Sequence, residues 1–401
     1  MAVATAAMVS GCAVGPPPED FAIKDAVLAL RVQEGDDDSS YLVLVSPEGK
    51  TRAIELEGIE TAGISWTEHG ITTSDPTHDY TVDEAGLTAS KRTSGGETVE
   101  TDHEWYRVQV AKGTLVGFSP KDSSEDPFVT YIDGESGKAA TRVAPYGDTS
   151  TAAVCGDRVY ASGRGTGTKA FAEDSQSVPE SQWDRAALAS VYPYDGADIL
   201  TTLERSATPG TKSPCVDGVI YEPWSDTDSE QHFVRTWNTA KGTPAARVAV
   251  DHEIVYPPGE TSLIGGPSAM TVVDGRLFWV ADYAMYSAPL PTTATGPIRA
   301  HEVVDNLEGY VGLDADVLTY SAKAAYTVTT DGDLHKRRKR GGSGQRVWTE
   351  LTELNLVRTD LATGEPSIAL EVDVKDVDFP TKDVYVTALA VNPKWLARKG
   401  E

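Results

Sequence analysis

Past its first dozen positions the sequence has no apolar run near the ~18 residues a membrane-crossing helix requires, so any membrane attachment must come from the N-terminus. Basic residues are scarce, with 35 Lys and Arg against 61 Asp and Glu for a formal net charge of −26. That deficit argues against nucleic acid as a partner, because phosphate binding needs a basic face to release counterions. It also disfavours broad adsorption to anionic lipid, and the acidity itself speaks to solubility and not to fold. Helical periodicity is nearly absent; only residues 181–188 (SQWDRAAL) offer a turn or two of helix. Missing too are a Gly-x-Ser-x-Gly elbow, a phosphate-cradling loop and a dinucleotide fingerprint. The seven histidines, His69, His78, His103, His232, His252, His301 and His335, are scattered and form no pair at zinc-ligand spacing. No catalytic residue, cofactor or metal is therefore expected.

The N-terminus carries the strongest local signal. Residues 1–10 (MAVATAAMVS) are small and apolar and lead into Val9-Ser10-Gly11-Cys12. This run resembles the bacterial lipobox, in which the Cys thiol receives a diacylglycerol and a signal peptidase cuts just before it. The resemblance implies that residues 1–11 are a lipoprotein signal peptide and that Cys12 is lipidated. Two acyl chains supply the second anchoring signal that a single chain lacks. The run departs from export signals in having no Lys or Arg before it. Residues 12–20 continue as a Pro-rich, acidic spacer without apolar pattern, suited to an extended tether. Together these place the protein on the extracytoplasmic face of the cell membrane.

The remainder is repetitive. An apolar strand, a tight turn and a second strand rich in Val, Ile, Tyr, Phe and Trp recur at residues 64–74, 108–118, 153–163, 214–224, 271–281, 311–321 and 377–387. Gly, Asp and Lys hold the turns, where a two-residue hairpin demands positive φ. Later in each module a polar turn ending in Gly appears, at residues 131–137 (YIDGESG), 237–242 (WNTAKG) and 359–364 (TDLATG), with a shorter form at 46–49. Each precedes a short strand, at 52–56, 140–143, 245–250 and 368–372. Four-stranded units repeated about seven times predict an all-β propeller over residues 21–392, most simply seven-bladed, with six or eight open. Residues 393–401 are expected to be a tail. Residues 21–58 offer three strands and residues 383–391 (DVYVTALAV) a fourth, so the last strand is expected to complete the first blade and leave no open edge.

The Asp-x-x-Thr-Gly turn within residues 359–364 resembles those of quinoprotein-like and WD-like propellers. That resemblance implies architecture only, since one propeller fold hosts many functions. Quinone-dependent enzymes of this architecture place adjacent cysteines at the cofactor, and this sequence has none.

With Cys12 lipidated, Cys155 and Cys215 remain, at nearly equivalent places in neighbouring modules just before the inner turn. Inner strands of adjacent blades converge on the axis, so a cross-blade disulfide is expected, with two separate buried thiols as the alternative. Acid clusters stand at Asp36-Asp37-Asp38 and at Asp226, Asp228 and Glu230. The second has the alternating oxygens of a calcium loop but neither its turn Gly nor its distant bidentate Glu, and reads as a solvated loop. One segment reverses the sign of the chain. Residues 335–346 (HKRRKRGGSGQR) gather Lys336, Arg337, Arg338, Lys339, Arg340 and Arg346 in what reads as a Gly-rich loop inserted into the last full module. Such a loop is either a solvated counterweight to nearby acids or a contact for an anionic ligand. The expected function is a membrane-tethered binding or scaffolding module for a protein or anionic envelope polymer. The alternative is an extracytoplasmic enzyme acting over the central channel on a small molecule or glycan.

Overall fold

The computed structural model describes residues 21–35, 39–59, 63–121, 127–144, 149–164, 185–193, 199–204, 211–226, 231–240, 249–258, 266–291, 296–307, 318–338 and 345–401. The chain is a seven-bladed β-propeller whose first blade draws on both ends of the ring. From the axis outward, blade 1 consists of Val384–Val391, Leu28–Glu34, Ser39–Val45 and Thr51–Glu57. Blade 2 runs Ser65–Thr67, Gly70–Ser74, His78–Val82, Leu87–Lys91; blade 3, Thr101–Val110, Gly113–Pro120, Phe128–Asp133, Ala139–Val143. Blade 4 runs Thr149–Cys155, Arg158–Arg164, Arg185–Tyr192, Ile199–Glu204; blade 5, Cys215–Val216, Val219–Asp226, Gln231–Asn238, Ala249–Val255. Blade 6 holds Ser268–Val273, Arg276–Ala281, Ala284–Pro289 and His301–Val304; blade 7, Thr319–Tyr320, Ala324–Arg338, Gln345–Asp360 and Pro366–Val372.

Closure follows the expected route. The strand Val384–Val391 pairs antiparallel with Leu28–Glu34, from Leu28 opposite Val391 to Glu34 opposite Val384, with a bulge at Arg31 and Val32. Apolar cores lie between consecutive blades, because strands alternate their faces and each sheet is covered on both sides. Leu28, Leu30, Val43 and Val45 of blade 1 meet Tyr326, Leu354 and Leu356 of blade 7. Tyr221 and Val234 of blade 5 meet Leu277, Trp279 and Tyr286 of blade 6. Asp217-Gly218 and Asp274-Gly275, all at positive φ, make two of the inner turns. The outer turns also follow their sequence pattern. The Asp360 side chain accepts the N–H groups of Ala362 and Thr363, and Gly364 at φ +74° closes the turn onto the Asp360 carbonyl.

Blades 2 and 3 meet through polar groups. Arg107 donates to Thr72 and Ser74 across the seam at 3.1 and 2.6 Å, and is held by Glu104 at 2.8 Å. Ser74 donates to Asp79, which is paired with the buried Arg92 at 3.0 Å. From blade 1, Arg31 donates to Thr73 and Ser40, and burial holds its guanidinium down to a pKa of about 10. Each cation has a carboxylate or several hydroxyl and carbonyl oxygens near it, as charges removed from water require.

Four expectations are corrected. Residues 377–387 supply one strand, not an inner hairpin: Asp383 at φ +51° breaks the extended run, and only Val384 onward enters the sheet. The inner turn of blade 7 is Ser321–Lys323, after Thr319–Tyr320, and residues 311–317 lie outside the described residues. The helical reading of 181–188 is replaced by the strand Arg185–Tyr192, with 181–184 outside the described residues. The segment 393–401 is a helix, Pro393–Lys399, in place of a tail. Asn392 caps it by accepting the Lys394 N–H, Pro393 starts it, and Gly400 ends it at φ +79°. It docks by burying Trp395 against blades 1 and 7.

Candidate functional site

Blade 7 departs from its neighbours. Its two middle strands have 15 and 16 residues and form a continuous hairpin from Ala324 opposite Asp360 to Arg338 opposite Gln345. The inner strand pairs only with Ala325 and Tyr326, and the outer strand only with residues 354–359. The remaining length, from Asp331 opposite Glu353 to the tip, projects past the blade by roughly 25 Å at ~3.3 Å per residue. A bulge marks the departure, where Thr352 is the extra residue and its hydroxyl donates to the Asp331 carbonyl at 3.3 Å. Gly332 is required there: a Cβ would meet the Thr349 methyl at 2.4 Å and the Glu350 carbonyl oxygen at 2.9 Å.

The stretch before the closing strand clasps the root of this arm. Asp383 donates its N–H to the Thr349 carbonyl and accepts the Thr349 N–H on its carboxylate, each at 2.7 Å. Its own carbonyl accepts from Gly35 of blade 1, and Leu351 donates to Thr381. Asp383 is thereby held in its positive-φ conformation from two blades. Asp331, Asp333, Glu350 and Glu353 flank the root, with His335 beside Glu350 at 3.1 Å, and Leu334 is 61% exposed midway.

The basic residues picked out by the sequence sit on this arm. Lys336, Arg337, Arg338 and Arg346 are on its two strands, not in a loop, and Arg337 stands directly opposite Arg346. Strand pairing was missed because the Lys and Arg run has low β-propensity and no alternation. Lys339 and Arg340 lie outside the described residues, as do Cys12, Asp36, Asp37, Asp38, Asp228 and Glu230. Asp226 ends its strand in blade 5.

Along the axis a cavity of about 520 Å³ is lined by inner strands of six blades and by the helix, including Trp66, Gln109, Lys212, Tyr320, Ala390 and Leu396. Gln109 donates to the Trp66 carbonyl at 2.6 Å, and Ser213 bonds Thr151 at 2.7 Å. No carboxylate or histidine is among its described lining residues. Cys155 and Cys215 form a disulfide at the inner turns of blades 4 and 5, with Cα atoms 5.4 Å apart. Closing a loop of 60 residues, it contributes about 4 kcal/mol in the chain-entropy description.

The histidines stay apart. His232 bonds the Tyr256 hydroxyl at 3.1 Å, His252 the Gly296 carbonyl at 3.1 Å. Among the described residues no group of three or more His, Cys, Asp and Glu side chains could hold a metal ion.

A buried carboxyl that sequence reading did not single out lies between blades 4 and 5. Glu222 accepts Trp237 Nε1 at 2.5 Å and the Ser162 hydroxyl. Burial pushes its pKa up, against the opposing pull of Arg235 and of these hydrogen bonds. The folded protein therefore holds this proton more tightly than the unfolded chain. The stability it contributes is complete below the ordinary carboxylate range and is lost as pH rises through the raised value. Glu222→Gln keeps an acceptor for Trp237 and is expected to flatten the decline of the melting temperature as pH rises above the ordinary carboxylate range. An unchanged pH profile in the variant would show that Glu222 titrates normally.

No family model matches the chain, and no curated protein does. Among solved structures, it is similar to apo AztD from Citrobacter koseri at 11% identity and a TM-score of 0.40, covering 91% of this chain and 98% of that one. A puromycin-hydrolyzing peptidase of Mycobacterium tuberculosis matches at 12% identity and a TM-score of 0.44, over 90% of this chain and 56% of its own. Cobalt-substituted ACO of Synechocystis matches at 11% identity and a TM-score of 0.43, over 93% and 95%. Likeness of this degree carries no functional residue across.

Proposed function

We propose that this protein is a lipid-tethered, extracytoplasmic propeller that works as a binding or scaffolding module, with the blade 7 arm as its binding element. The observation that carries the reading is the arm itself: a two-stranded ribbon that leaves the ring at a bulge, is clasped at its root, and bears a basic end on a chain of net charge −26. A solvated turn needs neither the length nor the clasp. Opposed like charges such as Arg337 and Arg346 destabilise a ribbon, a cost that an anionic ligand offsets. The lining of the axial cavity, without carboxylate or histidine among its described residues, favours the arm over the channel as the working site.

The tether rests on Val9-Ser10-Gly11-Cys12 and the Pro-rich spacer behind it. Cys12→Ser is expected to leave an unlipidated protein that is lost from the membrane fraction of a host processing other lipoproteins normally. Retention of the variant in that fraction would overturn the tether.

A further inference from the structure

The first described residues and the Arg338–Gln345 end of the arm lie at opposite ends of the propeller. Ile23 donates to Asp83 in the outer turn of blade 2, and Ala26 accepts from Asn392, which caps the helix. Residues 21–27 therefore join the ring on the face that carries the helix. The strand that becomes the arm begins at that same face: Ser321 and Lys323, in the turn before Ala324, donate to Glu401 and to the Gly400 carbonyl just beyond the helix. From there the strand Ala324–Arg338 runs away for 15 residues, roughly 50 Å at ~3.3 Å per residue. A tether of residues 12–20 can extend at most about 30 Å. A lipid on Cys12 holds the helix face toward the bilayer, and the arm points outward.

We infer that the arm binds a phosphate-bearing linear polyanion outside the membrane, and not the headgroups of the bilayer in which the protein is anchored. This rests on the proposed tethered binding module. The register supports a polymer over the flat face of an acidic protein. Successive positions of a strand belong to opposite faces, so the register places Lys336 and Arg338 at positions of one face of the ribbon, and Arg337 and its cross-strand partner Arg346 at positions of the other. A single rigid surface meets one face; a flexible chain with closely repeated charges reaches both. Acidic residues at the root repel the same polymer and confine it to the end.

The test uses long-chain inorganic polyphosphate as probe, with the full chain both as unlipidated Cys12→Ser protein in solution and as lipidated protein in phosphatidylglycerol vesicles. Both forms are expected to bind the probe. Affinity is expected to fall on the order of 50-fold from about 50 to about 200 mM salt if four cations are engaged. A fourfold variant, Lys336→Gln, Arg337→Gln, Arg338→Gln and Arg346→Gln, is expected to lose at least tenfold in affinity and most of the salt dependence. The melting temperature should be unchanged, since none of the four lies in the ring; a Lys336→Gln, Arg338→Gln pair gives the intermediate case. Binding in solution that vanishes on the vesicles would overturn the outward orientation. Failure of the soluble protein to bind polyphosphate, with or without capture of an acidic protein, would overturn the polyanion. The solution result does not depend on whether Cys12 is lipidated in the cell, which the fractionation of Cys12→Ser decides separately.

Discussion

Deletion of residues 383–401 is expected to abolish cooperative folding. The deleted piece contains the innermost strand of blade 1, paired with Leu28–Glu34 along its length, and the helix that buries Trp395. Leu389, Ala390, Val391 and Trp395 lose their burial outright, and Leu28, Leu30 and Val32 are uncovered on the partner strand. At ~1.5–3 kcal/mol per large apolar side chain, the loss is on the order of 10 kcal/mol, comparable to the whole stability of an ordinary domain. The exposed edge LALRVQE then templates pairing with other chains. Soluble yield and circular dichroism melting check this. A truncated protein that remains monomeric and melts as the full chain does would show that Val384–Val391 does not close the ring. Deleting residues 393–401 alone spares the closing strand and is expected to lower the melting temperature without eliminating the transition.

The ring was legible in the sequence because its signals are local and repeated. Five of the hairpins read from turn residues and β-branched strands are the inner hairpins of blades 2 to 6, and the Cys155–Cys215 pairing follows from their equivalent places in neighbouring blades. Closure was legible for the same reason, as an apolar strand without a partner at each end. Errors fell where local pattern and tertiary setting disagree. Residues 377–387 look like a hairpin, but Thr381 and the positive-φ Asp383 serve a clasp that ties the chain to blade 7 and blade 1 at once. The helix at Pro393 is too short for periodicity, yet its ends were readable: Asn-Pro at the start and Gly400 at the finish. The arm was hidden because charged residues at a ribbon's end obey their ligand or solvent and not a core. The polar seam of blades 2 and 3 was invisible, since Arg107 and Glu104 are surface residues by type and become core only through packing.

Replacing Arg107 by Met is expected to destabilise the protein by about 3–5 kcal/mol, the usual cost of stranding one member of a buried ion pair. Arg107 and Glu104 are both almost wholly removed from water. Glu104 accepts from Arg107 Nε at 3.0 Å and from a terminal nitrogen at 2.8 Å, and also takes the Gly63 N–H at 3.2 Å. The same guanidinium holds Thr72 and Ser74 across the seam. The Met side chain fills much of the volume but takes two guanidinium donors and the paired cation away from the carboxylate. Losing the paired cation raises the affinity of a buried carboxylate for its proton, so the deficit of Arg107→Met should shrink as pH falls. Adding Glu104→Gln removes the charge and keeps an acceptor for Gly63. The double variant should recover most of the loss at neutral pH, leaving about 1 kcal/mol for the Thr72 and Ser74 hydrogen bonds. Urea unfolding of the four proteins in the cycle measures the coupling. A single variant that loses less than about 1 kcal/mol, or a double variant no better than the single, would mean that water or neighbouring groups neutralise Glu104. In that case the seam between blades 2 and 3 would not depend on this pair.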